Sequence, residues 1–505
     1  MSALATDTAG TAPREEARPA LLERLGDRLN PLVVKEVRQG LRSRVFWVSF
    51  GLMLLACFIL SMVAYAATRD DGLSTQGQGY FFGFYVCLAT VHFFIIPYSA
   101  YRSLARERED ETWVLLILTG LGPRRILRGK VASFLVQAGL YASAVGPFLL
   151  FSYYLNGIDL PTILLVLGLG ASWLVFVTVV AVCAATLADG RMGRALVNLV
   201  LLGSLGMALL YGLIAAFFLS EQGYRSVVRE DGFLIATGII LGVMFSYGWL
   251  LFETAAARLS LATENYTRGP RLALTVQMVF SGAVVLGLWL WDPPPTAVAV
   301  VASTLGCLHL SLIGIFVATD VDGQARALRA LTRPWSLLRP GAVRGFRFIV
   351  LLVLGWTGLC MGLYFLSVAS STSSSDAAMA HVLGMLAAPA YAILYLSLPL
   401  VVGRLPRSDQ LASPAVVRVL FFALAGLAGA LLPLLAVLFD QRVDDPLVNL
   451  LNPFIGIANF SDYNHTVGET KMSPGLLACV WLVAALAAFT ADRALVERER
   501  RAHAS

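Results

Sequence analysis

No stretch of this chain has the residue spacing that an enzyme site would need. The phosphate cradle of an ATPase requires a GxxxxGK[ST] string, whose backbone amides surround the phosphates. The nearest string, ILRGKV at 126–131, lacks the glycine that should stand five residues before Gly129. HExxH and GxSxG strings, which mark zinc proteases and serine hydrolases, are also missing. The sequence therefore predicts no catalytic residues and no cofactor bound by this chain itself.

The residue types that could bind a metal lie singly inside apolar runs. No two of the six cysteines are at CxxC spacing, and all lie in such runs: Cys57, Cys87, Cys183, Cys307, Cys360 and Cys479. This pattern is typical of small packing residues, and it predicts neither a disulfide framework nor a zinc site. His92 and His309 are the candidates for a deep ionisable group; neutral histidines packed between helices are the alternative.

The composition is that of a membrane-embedded chain. Of the 505 residues, 58% are hydrophobic and 14% are charged, whereas a soluble domain is about a quarter charged. A helix of about 20 apolar residues crosses the hydrocarbon core. Twelve runs without Asp, Glu, Lys or Arg are of about that length, at 45–68, 81–101, 131–155, 162–187, 196–219, 233–252, 272–291, 297–318, 348–369, 377–402, 419–439 and 473–491. We predict an all-α integral membrane protein of about twelve transmembrane helices.

The basic residues are concentrated in alternate loops. With the N-terminus inside, 33 of the 38 Lys and Arg residues fall on the inner side, and the outer loops hold the remaining five: Arg69, Arg225, Arg229, Arg442 and Lys471. This positive-inside bias predicts that both termini are cytoplasmic. The polar first 44 residues predict no cleavable signal peptide. The preference for arginine, alanine and leucine favours a bacterial protein, and hence the inner (cytoplasmic) membrane.

An amphipathic segment, LNPLVVKEVRQGLRSR at 29–44, precedes the first span. Pro31 suits the first turn of a helix. The apolar residues share one stripe at helical spacing, namely Leu32, Val33, Val37 and Leu41. The remaining positions include the basic residues Lys35, Arg38, Arg42 and Arg44. We predict an interfacial helix whose arginines face anionic headgroups on the inner membrane surface. The alternative is a simple positive stop before the first span.

The inner loop between the second and third spans, 102–130, combines charge with an apolar tip. A mixed-charge run at 106–111 is followed by WVLLIL at 113–118 and then by the break TGLGP at 119–123. Glycine and proline there end one helix and start another. A short apolar helix among charges suits docking on another protein. A re-entrant or interfacial segment is the alternative.

These two segments resemble the permease subunits of ABC-2-type exporters. The pattern there is Glu-Arg-Glu, a few residues, Leu-Leu, Thr, a short turn, then Ile-Leu and Gly-Lys before the third span. The matching positions here are Glu107, Arg108, Glu109, Thr112, Leu115, Leu116, Thr119, Pro123, Ile126, Leu127, Gly129 and Lys130. LNPFIGIANF at 451–460 is similar to the Asn-Pro-Phe segment that often precedes the final helix in that family.

The resemblance implies roles for both segments. The loop 102–130 would be the coupling loop, which fits a groove on a separate ABC ATPase subunit. The amphipathic segment would be the elbow helix, with Pro31, Lys35, Glu36, Arg38 and Arg42 among its residues. ATP and Mg would be bound by the ATPase chain. The other partners would be membrane lipids and a second permease copy or a paralogous permease, with no nucleic acid.

The resemblance is clear over residues 29–150 and is weaker beyond them. We predict four parts: a cytoplasmic N-terminus with the elbow helix at 1–44; a six-helix membrane unit resembling an ABC-2 permease unit at 45–256; two membrane helices and an Arg-rich cytoplasmic loop at 257–347; and four membrane helices, a large outer loop at 440–472 and a cytoplasmic tail at 348–505. Within the outer loop, the apolar stretch 446–460 would lie on the outer surface or dip inward, as a gate or a cap.

The second half departs from the family pattern. The usual permease has six spans, and the second half, from about residue 272, does not repeat the Glu-Arg-Glu element. Its inner loop 319–347 is rich in arginine but lacks a Leu-Leu-Thr tip, with Arg326, Arg329, Arg333, Arg339, Arg344 and Arg347. Either the first half alone follows the family or the two halves have diverged. A twelve-helix secondary carrier and a non-transporting membrane scaffold or anchor are the alternative functions.

Overall fold

The fold is known here from a computed structural model. It describes residues 31–71, 77–110, 121–188, 190–261, 264–291, 297–321, 335–369, 375–401, 413–439, 448–461 and 473–504. All regular secondary structure in these residues is helical. Twelve of the helices are long and apolar enough to cross a membrane. The chain is therefore a multi-pass α-helical membrane protein, and the predicted number of apolar helices is confirmed.

The chain separates into two compact units after Leu234. The helices of the first unit are α1 (Pro31–Leu41), α2 (Arg44–Asp71), α3 (Gly77–Glu109), α4 (Pro123–Tyr154), α5 (Leu160–Ala184), α6 (Arg191–Gln222) and α7 (Tyr224–Arg229). Helices α2 to α6 are the first five candidate spans. Helix α4 packs against α1 and α3, and α5 packs against α3 and α6. The elements that hold the two predicted motifs thus meet along α4.

Helix α3 contains a π-helical turn at Val91–Ile95. His92 lies in this turn, is buried, and places Nε2 3.1 Å from the carbonyl oxygen of Ala138 on α4. A neutral imidazole with the proton on Nε2 satisfies that contact. The next residue, Phe93, packs so closely on α6 that a Cβ added at Gly212 would lie 2.6 Å from its ring. This arrangement is that of a histidine packed between helices.

The second unit contains seven of the candidate spans. Its helices are α8 (Phe233–Leu259), α9 (Arg268–Trp291), α10 (Ala297–Val317), α11 (Ala342–Ala369), α12 (Ser375–Val401), α13 (Pro414–Leu438), α14 (Ile455–Ser461) and α15 (Pro474–Ala504). Helix α12 is central, since most of its candidate span is buried and it packs against α10, α11, α13, α14 and α15. The span predicted at 233–252 lies in α8, which the packing groups with this second unit.

The segment 448–461, between α13 and α15, reaches deep along α12. The hydroxyl of Tyr391 donates to the carbonyl of Leu450 at 2.5 Å, and that of Tyr395 donates to Leu451 at 2.6 Å. Tyr395 lies about 25 Å along α12 from the N-terminal end of its candidate span, at 1.5 Å per residue. The two predicted positions for this stretch, on the outer surface or dipping inward, stay predictions.

The segment 448–461 satisfies several of its polar groups by hydrogen bonds within the protein. Backbone exposed to lipid must find hydrogen-bond partners inside the protein, because the apolar layer supplies no water. The side chain of Asn452 accepts from the backbone amides of Phe454 and Ile455, and it donates to the side chain of Asn449 at 3.1 Å. Asn449 and Asn452 are both fully buried. Asparagines and tyrosine hydroxyls therefore hold a short 3-10 helix, Val448–Leu451, and the turn before α14 against α12.

The orientation of the chain can be tested by cysteine labelling. In a variant lacking the native cysteines, we introduce Arg38→Cys in the exposed face of α1 or Glu230→Cys in the exposed turn after α7. The positive-inside bias predicts that a membrane-impermeant maleimide labels position 230 in intact cells. Position 38 should be labelled only after the cells are permeabilised. The opposite pattern would reverse the topology.

Close packing of α11 on the end of α10 predicts a sensitive glycine. A Cβ added at Gly345 would lie 2.0 Å from the carbonyl oxygen of Val317, which is backbone and cannot move aside cheaply. Gly345→Ala should therefore lower the free energy of unfolding by about 1–3 kcal/mol. Gly355→Ala and Gly358→Ala on the same helix are matched controls, because an added Cβ there meets no atom within 4 Å. Thermal midpoints in detergent compare the three; equal midpoints would refute the packing argument.

Candidate functional site

The two predicted motifs meet at one end of the first unit. Helix α1 comes from the amphipathic segment, whereas the last turns of α3 and the first turns of α4 flank the predicted coupling loop. Pro123 is the first residue of α4, where its missing amide hydrogen costs nothing. Pro31 likewise begins α1. The sequence thus places both motifs on helix ends that the fold brings together.

A buried lysine joins these three helices. The Lys130 side chain on α4 is 0% exposed. Its Nζ donates to Glu107 Oε1 at 2.8 Å, to Glu36 Oε1 at 3.2 Å and to Ser103 Oγ at 3.0 Å. An ammonium group has three donors, so these three acceptors use all of them. Glu36 lies on α1, while Ser103 and Glu107 lie on α3. We call Lys130, Glu36, Glu107 and Ser103 the lysine cluster.

The lysine cluster holds its parts in a fixed relation. Removing an ammonium group from water is costly, and only close anionic partners with good geometry offset that cost. The side chains of Glu36 and Glu107 are 7% and 21% exposed, so both carboxylates have little contact with solvent. Loss of one partner would leave a buried charge uncompensated, at a cost of roughly 3–5 kcal/mol. A displacement of α3 therefore has to carry α1 and α4 with it.

The Glu-Arg-Glu triplet uses each residue for a different partner. Glu107 belongs to the lysine cluster. Arg108 donates from Nη1 to the carbonyl of Ala185 at 3.0 Å, just after α5. Glu109 lies 3.5 Å from Arg194 Nε on α6, in a more exposed pair. The last turn of α3 is thereby tied to α4, to the turn after α5 and to α6. This explains in physical terms why the three residues are consecutive.

Helix α1 also packs directly on α4. A Cβ at Gly40 would lie 2.5 Å from the Gln137 side chain, so glycine permits this close approach. Further along, Tyr141 shares a 2.6 Å hydrogen bond with Ser49 and lies 3.1 Å from the Phe46 carbonyl. The chain from α1 into α2 is thus held along one side of α4 by contacts other than the lysine cluster.

The charged residues of α1 and of the turn after it divide into two groups. Glu36 is buried against α4, whereas Lys35, Arg38 and, just after α1, Arg42 are exposed. The exposed residues are those that the helical spacing assigned to a solvent or headgroup face. The predicted position of this helix on a membrane surface stays a prediction.

Four of the predicted coupling residues lie outside the described part of the chain: Thr112, Leu115, Leu116 and Thr119. The structure places the flanking residues on the two helix ends that bound the loop, and it brings Glu107, Lys130 and Glu36 into one cluster. The sequence did not reveal the contacts that Ser103, Ala185 and Arg194 make with these residues. Arg194 lies in the first turn of α6, and the only signal was its charge, opposite to that of Glu109 at the end of α3.

The groups of this site connect helix ends to one another. Its groups are paired charges and backbone carbonyls. Within the residues that the structure describes, no three His, Cys, Asp or Glu side chains are placed to hold a metal ion. Comparison of the chain with protein-family models, curated proteins and solved structures finds no match.

The lysine cluster predicts that substitutions of two basic residues on α4, Lys130 and Arg128, differ greatly in their effect on stability. Lys130→Met leaves Glu36 and Glu107 without their cation, and it should lower the free energy of unfolding by about 3–5 kcal/mol. Arg128→Met, which removes an exposed cation two residues away, should cost less than about 1 kcal/mol. The triple variant Lys130→Met/Glu36→Gln/Glu107→Gln should recover part of the loss, because no charge is left unpaired. Thermal midpoints in detergent measure all three; similar midpoints for the two single variants would contradict the cluster's role.

Proposed function

We propose that this chain is the membrane-spanning permease subunit of an ABC-2-type exporter, driven by a separate ATPase chain. The observation that supports this best is the lysine cluster, because it joins the two segments that carry the family resemblance. Glu36 comes from the proposed elbow helix, and Glu107 and Lys130 come from the two ends of the proposed coupling loop. A force applied to the loop reaches α1, α3 and α4 together.

In the proposed mechanism, movement of the coupling loop is transmitted to the membrane helices. The ATPase subunits bind ATP and Mg, close on each other, and displace the coupling loop, 102–130. The loop moves the last turns of α3 and the first turns of α4 as one body. Arg108 and Glu109 pass the displacement to the turn after α5 and to α6. The bundle then changes between its two states, and the chain itself needs no catalytic group.

The distribution of carboxylates favours this proposal over a proton-coupled carrier. Such a carrier uses titratable groups along a path through the membrane. In the candidate spans, all Asp and Glu residues except Glu253 lie in the terminal turns, as Glu107 and Glu109 do in α3, or in the C-terminal part of α15. Glu253, which is buried, lies two turns from the end of α8. We propose an inner-membrane location with both termini in the cytoplasm.

Co-purification from the native host tests the proposal. The intact chain is isolated in mild detergent beside Leu115→Ala/Leu116→Ala, which shortens the apolar tip and spares the lysine cluster. The matched control is Leu160→Ala/Leu234→Ala, two exposed leucines at the predicted outer ends of α5 and α8. We expect an ATPase to co-purify with the intact chain and with the control. The amount recovered with the tip variant should be lower by a factor of about ten or more, because two anchor residues at an interface contribute at least ~1.4 kcal/mol to binding.

Two results would refute the proposal. One is an intact chain that comes out without any ATPase, which would favour the carrier or the scaffold. The other is equal ATPase recovery with the tip variant and the control, which would place the contact elsewhere on the chain.

A further inference from the structure

Two arginines from different helices lie near each other at one end of the second unit. Arg418 is one turn inside the start of α13, and Arg258 is next to the last residue of α8. Their guanidinium groups are close enough to repel each other. Both residues lie at the ends of candidate spans, which is where lipid headgroups are found. We call Arg258 and Arg418 the arginine pair.

The end of α10 holds the Arg418 side chain in place. Its Nε donates to the hydroxyl of Thr319, just after α10, at 2.8 Å. Its guanidinium carbon lies 5.0 Å from the centre of the Phe316 ring, which is a cation–π contact. The bond to Thr319 uses one of the five guanidinium donors, and the other four belong to the terminal nitrogens. Two contacts thus position these terminal nitrogens without help from any ligand.

The charges around Arg418 favour an additional anion. The repulsion by Arg258 is stronger than the attraction by Asp320. Asp320 Oδ2 is ion-paired at 2.8 Å with Arg271 on α9, so this carboxylate already serves a cation that is 1% exposed. Arg418 itself is only partly exposed to water, and a guanidinium does not lose its proton in proteins. An anion that contacts both members of the arginine pair would therefore stabilise this arrangement.

A phosphate group has the shape that two guanidinium groups recognise. Each guanidinium can donate two parallel hydrogen bonds to two oxygens of one phosphate. Exposed aromatic side chains lie on the membrane side of the arginine pair, with Phe316 on α10 and Phe422 one turn after Arg418 on α13. A molecule with a phosphate at one end and apolar chains at the other matches both features. A phospholipid is such a molecule.

We propose that the arginine pair binds a phosphate group and that an anionic phospholipid supplies it. Most of the α8 span is exposed, so a phosphate bound by Arg258 and Arg418 adds a connection between α8 and α13. The inference does not depend on the proposed function, since it concerns contacts of the second unit alone and holds for a permease, a carrier or a scaffold. Inorganic phosphate has the same head chemistry without the apolar chains.

Lipid titrations of the purified full chain test the proposal. The chain is delipidated in detergent, and native mass spectrometry follows the binding of phosphatidylglycerol and of phosphatidylcholine with the same acyl chains. Both lipids contain a phosphodiester, but the choline group carries a positive charge that the arginine pair repels. We expect the first phosphatidylglycerol to bind about tenfold more tightly than the first phosphatidylcholine, since charge-assisted hydrogen bonds contribute enough for that factor.

Three substitutions locate the site. Arg418→Gln and Arg258→Gln should each lower the affinity for phosphatidylglycerol by about tenfold. Arg493→Gln is the matched control and should keep the full preference, because Arg493 is an exposed arginine on α15 whose guanidinium lies 4.8 Å from the ring of Phe489. Thermal midpoints without lipid check that each variant is folded. Arg258 is exposed, so its substitution leaves the bond between Arg418 and Thr319 in place.

Inorganic phosphate, added alone and in competition, identifies the source of the phosphate group. A first phosphatidylglycerol that inorganic phosphate does not displace supports the lipid. Displacement, together with a higher thermal midpoint for the intact chain but not for Arg258→Gln, would keep the phosphate site and overturn the lipid as its occupant. Equal affinities of the intact chain for the two lipids would overturn the proposal, unless inorganic phosphate gives that shift. A preference that survives both Arg418→Gln and Arg258→Gln would overturn it as well.

Discussion

A protonated amine can lie inside a helix bundle only where oxygen atoms replace the water that it has lost. Lys130 satisfies this condition with two carboxylates and a hydroxyl, which come from two other helices. Its partners lie 94 residues away at Glu36 and 23 residues away at Glu107. None of the three helices can shift alone without exposing a buried charge. The order of the first unit at this end, and the mechanism proposed for it, depend on this one group.

The second unit meets the same condition with a different cation. Arg271 has a planar group with five donors, and it binds one carboxylate and several backbone carbonyls. It therefore holds an irregular segment in place, whereas Lys130 holds a helix. Both solutions have a similar mechanical result, because each connects the ends of adjacent candidate spans.

The same physical condition acts on the backbone in the segment 448–461. Peptide groups in an apolar layer need partners within the protein. Tyr391 and Tyr395 donate to its carbonyls, and Asn452 accepts from its amides. This segment consists of a 3-10 helix, Val448–Leu451, and the short helix α14. Buried polar groups fix the position of these short helices against α12.

The spans could be predicted from the sequence because lipid imposes one simple requirement, a run of about 20 apolar residues, and that requirement is local. The exposed face of the amphipathic segment, with Lys35, Arg38 and Arg42, followed from helical spacing for the same reason. Lys130 and Glu107 were recognised as parts of a motif, but their burial and their connection with Glu36 were not. An ion pair between residues that are far apart in the chain leaves no periodic pattern. Whether a charged residue near the end of a span faces water or a carboxylate is decided only when the helices pack. The buried ion pairs that connect the helices are therefore a property of the tertiary structure.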